Sequence, residues 1–304
     1  MSVRVIVPAS SANIGPGYDA FGLALGVYNE FEGELADEWA IEIGGEGAGR
    51  LSRDADNTVL KAMGRVFAEV GRPELAADVA CHNGIPVGRG LGSSSAAIVG
   101  GLVLAEALVG QRLGAERLLR LANELEGHPD NVAAALHGGF VIATAADGAV
   151  RCTHIDPAGG LAAIVVVGEE ELPTGDARSA LPGFVPHADA AANAANAALL
   201  AYGIATGSAA DIAVGMRDAI HERYRAVLVP DMAAVTSLLE AIGAGPAVLS
   251  GAGPSMLALV PGTNDDRALE RARHLAEMAR TALGGLGRGR VVALPVDRLG
   301  ARVV

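Results

Sequence analysis

The residues best placed to do chemistry in this 304-residue sequence begin with Gly88-Arg89-Gly90-Leu91-Gly92-Ser93-Ser94-Ser95. Glycines let a backbone turn tightly and approach a ligand closely, and the start of a helix offers unpaired N–H groups and a positive dipole end to an anion. Serine hydroxyls there can cap the helix, contact a phosphate or ligate Mg²⁺. Three in a row exceed what capping requires, although a flexible turn with a serine cap is the plain alternative. Two better-known glycine loops do not fit. A Walker loop needs Gly-Lys-Ser/Thr where Gly92 is followed by Ser93, and a dinucleotide fingerprint needs G-x-G-x-x-G where this is G-x-G-x-G.

A second concentration of chemistry is Glu124-Leu125-Glu126-Gly127-His128-Pro129-Asp130-Asn131. Residues two apart cannot share a helix face, so one of Glu124 and Glu126 faces solvent while the other can ligate Mg²⁺ beside a serine of the glycine loop. Taken singly, Asp130 and Asn131 read equally well as helix caps and His128 as a turn residue; their density is the signal. Asn13 and Asp19 stand in a polar loop after a buried strand, where binding groups collect and where Asx turns are the ordinary reading. Arg178 and Arg225 are candidate carboxylate clamps or plain surface charges. Ser250 to Ser255 reads as a glycine turn between strands, with a functional role near phosphate the lesser option.

The elements that would hold these residues are mixed in order. Val3 to Val7 reads as a strand, then comes the polar loop, then a long strand-like reach from Leu23 to Ile43. A helix capped by Asn57 runs to Val70, Asp78 to His82 is a short strand entering the glycine loop, and Ser93 to Val109 is a helix. Helices over Leu118 to Glu126 and Asp130 to Leu136 and a strand over Gly139 to Thr144 follow. A Pro/Gly break near Pro157 to Gly160 places a domain boundary there, giving 1–157 and 158–304. Beyond it come a central strand (Leu161 to Val167), closely packed helices (Ala188 to Met216), a hairpin around Gly251 to Pro254, a helix to about Ala282 and a strand near Val291. There is no internal repeat, and the absence of regular βαβ alternation indicates α+β.

Composition removes several function classes. With 51% hydrophobic and 19% charged residues the chain can bury sizeable cores. A net charge of -12, with no Lys/Arg-rich run, argues against a nucleic-acid partner. A bound anion would therefore be held by local groups. Cys81 and Cys152 are too few for a disulfide framework and suit buried, reduced thiols in a cytoplasmic protein. The longest apolar stretch, Ala96 to Leu108, is interrupted by Glu106 and falls short of the roughly 20 residues a membrane span needs.

Four blocks together, PASSANIGPGYDAFGLAL (8–25), PVGRGLGSSSAA (86–97), EGHPDNVAAALHGG (126–139) and SGAGPS (250–255), resemble the GHMP kinase superfamily. The first and third resemble those members that phosphorylate homoserine. The resemblance implies a two-domain α+β fold, an N-terminal domain like ribosomal protein S5 domain 2 and a ferredoxin-like C-terminal domain, with the active site in the cleft between. The implied reaction is ATP plus L-homoserine giving ADP plus O-phospho-L-homoserine, in threonine biosynthesis. ATP would be bound by Pro86, Val87, Gly88, Arg89, Gly90, Leu91, Gly92, Ser93, Ser94, Ser95 and Ala96. Ser94 and Glu126 would hold Mg²⁺, with Glu124 the alternative ligand. Asn13, Asp19, His128 and Asp130 would line the amino-acid pocket, and Thr174, Arg178 and Arg225 would surround the substrate carboxylate. Asn131 would align the hydroxyl with the γ-phosphate, Asp130 mainly binding substrate; a base role for Asp130 is the rival. A homodimer is a further family-based expectation. Ala134 and Arg223 stand where proline is common and Tyr18 where phenylalanine is common, and Arg223 bears on the backbone near Arg225. The alternative readings are a related kinase of mevalonate, shikimate or a sugar, and a non-catalytic ligand-binding regulator on the same fold. Two arginines with Asp19 suit a zwitterion better than a sugar.

Overall fold

The β-rich opening folds as two long paired strands in the computed structural model, which describes residues 2–146, 148–284 and 290–304. Strand β1 (Val3–Asn13) runs antiparallel to β2 (Gly17–Ala36), paired from Val3 opposite Gly33 to Asn13 opposite Gly17, with the register shifting between Pro8 and Ala9 and again between Ala12 and Asn13. The polar loop expected after Val7 is therefore strand as far as Asn13. Ser10, Ser11 and Asn13 are buried there, and each finds a polar partner inside the protein. The expected strand-like reach to Ile43 breaks at 37–39, beyond which β3 (Ala40–Gly45) forms.

Helix α1 (Thr58–Glu69) begins where Asn57 Oδ1 accepts the Val59 N–H at 2.8 Å, as the sequence indicates. Strand β4 (Ala76–Asn83) then pairs with both β2 and β3. The apolar helix α2 (Ser93–Val109) packs against β1, β2 and α1. Helix α3 (Ala115–Glu126) ends at Gly127, and α4 (Pro129–His137) starts on Pro129, where the missing N–H would have had no helical partner. Strand β5 (Phe140–Ala146) returns to β2. Strand β6 (Ala149–Ile155) extends from β5 and carries Cys152, whose surroundings read as strand; none of its residues is fully buried, so the sequence offers no apolar face to bound it.

Strand β7 (Gly160–Val166) is buried along its length, as expected of a central strand, and opens a second sheet. Helices α5 (Thr174–Ser179), α6 (His187–Thr206), α7 (Ala209–Gly215), α8 (Glu222–Arg225) and α9 (Met232–Ala241) precede the hairpin of β8 (Ala247–Leu249) and β9 (Met256–Gly262). Helix α10 (Asp265–Gly284) covers that sheet, and β10 (Val291–Pro295) completes it in the order β10-β7-β9-β8. The chain then returns: β11 (Arg302–Val303) pairs with β1, so the first sheet reads β11-β1-β2-β4-β3, with β5 and β6 branching from β2. The architecture is α+β, as expected. An isolated bridge between Asn13 and Ser250 brings the end of β1 to the β8–β9 turn, and the site lies at that meeting. No helix among the described residues is long and apolar enough to cross a membrane.

Candidate active site

The glycine loop is pinned on both sides before any ligand arrives. A Cβ on Gly90 would overlap the Ser250 carbonyl oxygen, and one on Gly92 would overlap Ser10 Oγ. Both glycines have φ near +70°, at +76° and +69°, which L side chains rarely adopt. The Ser10 N–H donates to the Leu91 carbonyl at 3.1 Å. Ser250 Oγ donates to the Gly90 carbonyl at 2.6 Å and accepts from Ser11 Oγ at 2.8 Å. The turn from Ser250 to Ser255, read from sequence as a glycine turn between strands with a role near phosphate as the lesser option, thus braces the loop from behind. Carbonyls of the loop are tied to the protein, while α2 begins at Ser93 and its first residues, Ser93, Ser94 and Ser95, line the cavity, where a helix start leaves amides without helical partners.

Glu124 and Glu126 of α3 separate cleanly. Ser95 Oγ donates to Glu126 Oε1 at 2.6 Å and Ser94 Oγ to Glu126 Oε2 at 3.1 Å, so Glu126 closes onto the start of α2. Glu124 points elsewhere, bonded to Arg65 and Arg120, each at 2.6 Å. Hydroxyl and carboxylate oxygens are the hard donors Mg²⁺ takes, and one carboxylate suffices when phosphates supply further oxygens. No group of three His, Cys, Asp or Glu side chains among the described residues is placed to hold a metal ion by itself, so a cation here would depend on such phosphates.

On the opposite wall α4 presents Asp130, 1% exposed, whose Oδ1 receives His128 Nδ1 at 2.6 Å and the Asn131 N–H at 2.7 Å. Asn131 Oδ1 in turn accepts from Ser10 Oγ at 2.9 Å. The Asp130 hydrogen bond raises the His128 pKa above its ordinary 6.5 against the opposing effect of burial. Asn13 holds an unusual corner: its Nδ2 donates to the Gly251 carbonyl at 2.7 Å and its Oδ1 accepts the Asp19 N–H at 3.0 Å. Asn13, Ile14 and Asp19 all have positive φ, and for a β-branched residue such as Ile14 that is a strained conformation the surrounding bonds must impose.

Arg178 and Asp19 form a bidentate pair, Nη1 to Oδ2 at 2.9 Å and Nη2 to Oδ1 at 2.7 Å, and Tyr18 Oη accepts from Arg178 Nη1 at 3.0 Å. Arg225 is 2% exposed and donates to the carbonyls of Ala177 at 3.2 Å and Gly251 at 3.3 Å. Its guanidinium and that of Arg178 lie 5.4 and 5.8 Å from the Tyr18 ring centre. Burial is the main influence on Arg225 and pulls its pKa below the usual arginine value. Arg223 does not disturb this geometry: α8 forms, and Arg223 turns outward to pair with Asp189.

One cavity of about 420 Å³ gathers Asn13, Asp19, Gly88 to Ser95, Glu126, His128, Asp130, Asn131, Thr174, Arg178 and Arg225. Val87 lines it as well. Pro86 and Ala96 do not; both are buried behind it, because the chain has already turned inward at each end of the loop. Sequence reading missed the far end, where Ile43, Leu51, Val59 and Cys81 form an apolar slot edged by Asn57. Those side chains look like ordinary core residues and carried no signal beyond hydrophobicity. It also missed Ser10 and His221; His221 Nε2 donates to the Gly15 carbonyl at 2.7 Å behind Arg225.

A glycine loop opening onto a helix, facing a carboxylate and a polar pocket across two sheets, defines a small-molecule kinase of the GHMP class. The models of the GHMP kinases' N-terminal and C-terminal domains match residues 57–139 and 196–278. A homoserine kinase of Streptomyces avermitilis is 43% identical over 270 residues, 88% of each chain. The crystal structure of homoserine kinase from Cytophaga hutchinsonii superposes with a TM-score of 0.88 at 30% identity, covering 100% of this chain and 97% of that one. A mevalonate kinase structure, at 12% identity and a TM-score of 0.70, shares the fold alone. The chain belongs to the homoserine kinase family of the GHMP kinases.

Proposed function

We propose that this cavity transfers the γ-phosphoryl group of ATP to the side-chain hydroxyl of L-homoserine, giving ADP and O-phospho-L-homoserine as a step of threonine biosynthesis. The observation that carries the acceptor is the Asp19–Arg178 pair beside Arg225 and Asp130. A bound α-amino acid can take over both ends of that pair, its carboxylate engaging Arg178 and its ammonium Asp19. Mevalonate offers only the carboxylate and a sugar neither.

On the other side, the apolar slot at Ile43 and Leu51 suits a purine, and the 88–95 backbone amides suit its phosphates. Ser94 and Glu126 would hold Mg²⁺, which when bound neutralises charge on the transferring phosphoryl group. Asn131, held by Ser10, is placed to align the acceptor hydroxyl with the γ-phosphate. Asp130 has both its hydrogen bonds on Oδ1 and no partner for Oδ2 among the described residues, which suits it to contact substrate.

The proposal divides the chain into an ATP-binding part, 1–157, and a second part, 158–304. It is supported by the change of sheet between Ile155 and Gly160. A cytoplasmic location, supported by the two unpaired thiols, and a homodimer belong to the same proposal.

A coupled assay of ADP release with L-homoserine, mevalonate, shikimate and galactose tests the acceptor. Turnover with homoserine well above the others is expected; none with homoserine sinks the assignment.

A further inference from the structure

One buried carboxyl beside the acceptor pocket takes no part in the chemistry above. Glu222, the first residue of α8, is 8% exposed, and its Oε1 accepts the Leu249 N–H at 2.6 Å. Leu249 ends β8. The next residue, Ser250, holds the Gly90 carbonyl of the phosphate loop, and the one after it, Gly251, offers its carbonyl to both Asn13 and Arg225. Arg225 lies three residues beyond Glu222, on the same turn of helix. A helix of four residues has no stability of its own. Its start is held by Asp218 Oδ2, which accepts the His221 and Glu222 N–H groups at 2.9 and 2.8 Å. The Glu222 carboxyl is thus a direct side-chain tie between the segment carrying the acceptor-side guanidinium and the turn that braces the phosphate loop.

Building on the kinase reading above, we propose that Glu222 is a positioning residue, fixing Arg225 relative to the phosphate loop and so setting homoserine affinity without touching either substrate. The groups around it are consistent with this work being done by a neutral carboxyl. Burial pushes Glu222 up to about 8, with the Leu249 N–H acting against it, Asp218 adding to it and Arg225 opposing it. Burial pulls the pKa of His221, the preceding residue, below its ordinary 6.5, with Asp218 acting against it. Because the folded value lies above the ordinary 4.5, the stability contributed by the buried neutral carboxyl is complete below 4.5 and is lost as pH rises through about 8, although the Leu249 N–H bond itself favours the ionised form.

The test compares Glu222→Gln and Glu222→Ala for kcat, the two KM values across pH, and hydrogen exchange of the Leu249 amide. Glutamine keeps the acceptor oxygen without the proton. It should hold all constants within about twofold at neutral pH and remove the step in homoserine KM centred at about 8, leaving the rise at higher pH that comes from loss of the substrate's own ammonium proton. Alanine should raise homoserine KM about tenfold, leave ATP KM within about twofold, and speed exchange at Leu249. Unchanged homoserine KM in Glu222→Ala overturns the proposal, as does a step centred at about 8 that persists in Glu222→Gln; the second holds even if the alanine variant does not fold. Wild-type protein inactive on homoserine would instead defeat the acceptor assignment, and exchange at Leu249 would still report whether the tie exists.

Discussion

On the phosphate side of the cavity the backbone of residues 88–95 is clamped between β1 and the β8–β9 turn, whereas on the acceptor side seven side chains converge from four separate stretches of sequence. The first is a site made of main chain, so its requirements are glycines, a helix start and hydroxyls, all contiguous. The second is a site made of charges, and in the structure those charges already satisfy one another through Asp19 and Arg178. Rigid backbone geometry tolerates little change, while a pocket of exchangeable ion pairs should yield by degrees.

That contrast orders the expected effects of substitution. Gly90→Ala places a methyl group against the Ser250 carbonyl and should lower kcat/KM for ATP by more than about a hundredfold, since small misplacements at a reacting centre have that effect. Glu124 and Glu126 divide sharply: Glu126→Gln should reduce kcat by about a hundredfold, while Glu124→Gln, a surface change, should stay within about twofold. Equal effects would mean that the Glu126–serine contact does not mark the metal side. Arg178→Ala should raise homoserine KM about thirtyfold with little change in ATP KM, and a shared loss in both would erase the distinction between the two sides. Tyr18→Phe removes only the hydroxyl on Arg178, and about a threefold rise in homoserine KM is expected.

The smallest effect is on stability. The His128 pKa is raised by Asp130, so the pair stabilises fully below the ordinary imidazole value of 6.5 and its contribution fades as pH rises through the folded value. Thermal melts of His128→Asn against wild type should therefore differ more on the acid side of 6.5 than on the alkaline side. A difference that grows with pH contradicts the assigned sign.

The same contrast explains what could be read from the sequence. The glycine loop, the helix from Ser93 to Val109 and the cap at Asn57 declared themselves because each rests on local backbone rules. Glu126 could be narrowed only to one of two residues, because helix periodicity says that Glu124 and Glu126 diverge but not which way α3 is turned. Ser10, Ser11 and Asn13 were misread as loop, since buried polar residues in a strand look exposed until their partners across the site are known. Glu222 left no trace for the same reason: its partner is the amide of Leu249, 27 residues away in the chain. The apolar slot at Ile43 and Leu51 is indistinguishable from core without the third dimension.

The central claim, phosphoryl transfer from ATP to the homoserine hydroxyl, is tested most directly by incubating the protein with Mg²⁺, L-homoserine and ATP labelled isotopically in its γ-phosphoryl group, then following the label by mass spectrometry. The account predicts that the label appears in O-phospho-L-homoserine in step with ADP. Label found only in inorganic phosphate, or remaining in ATP, would contradict it.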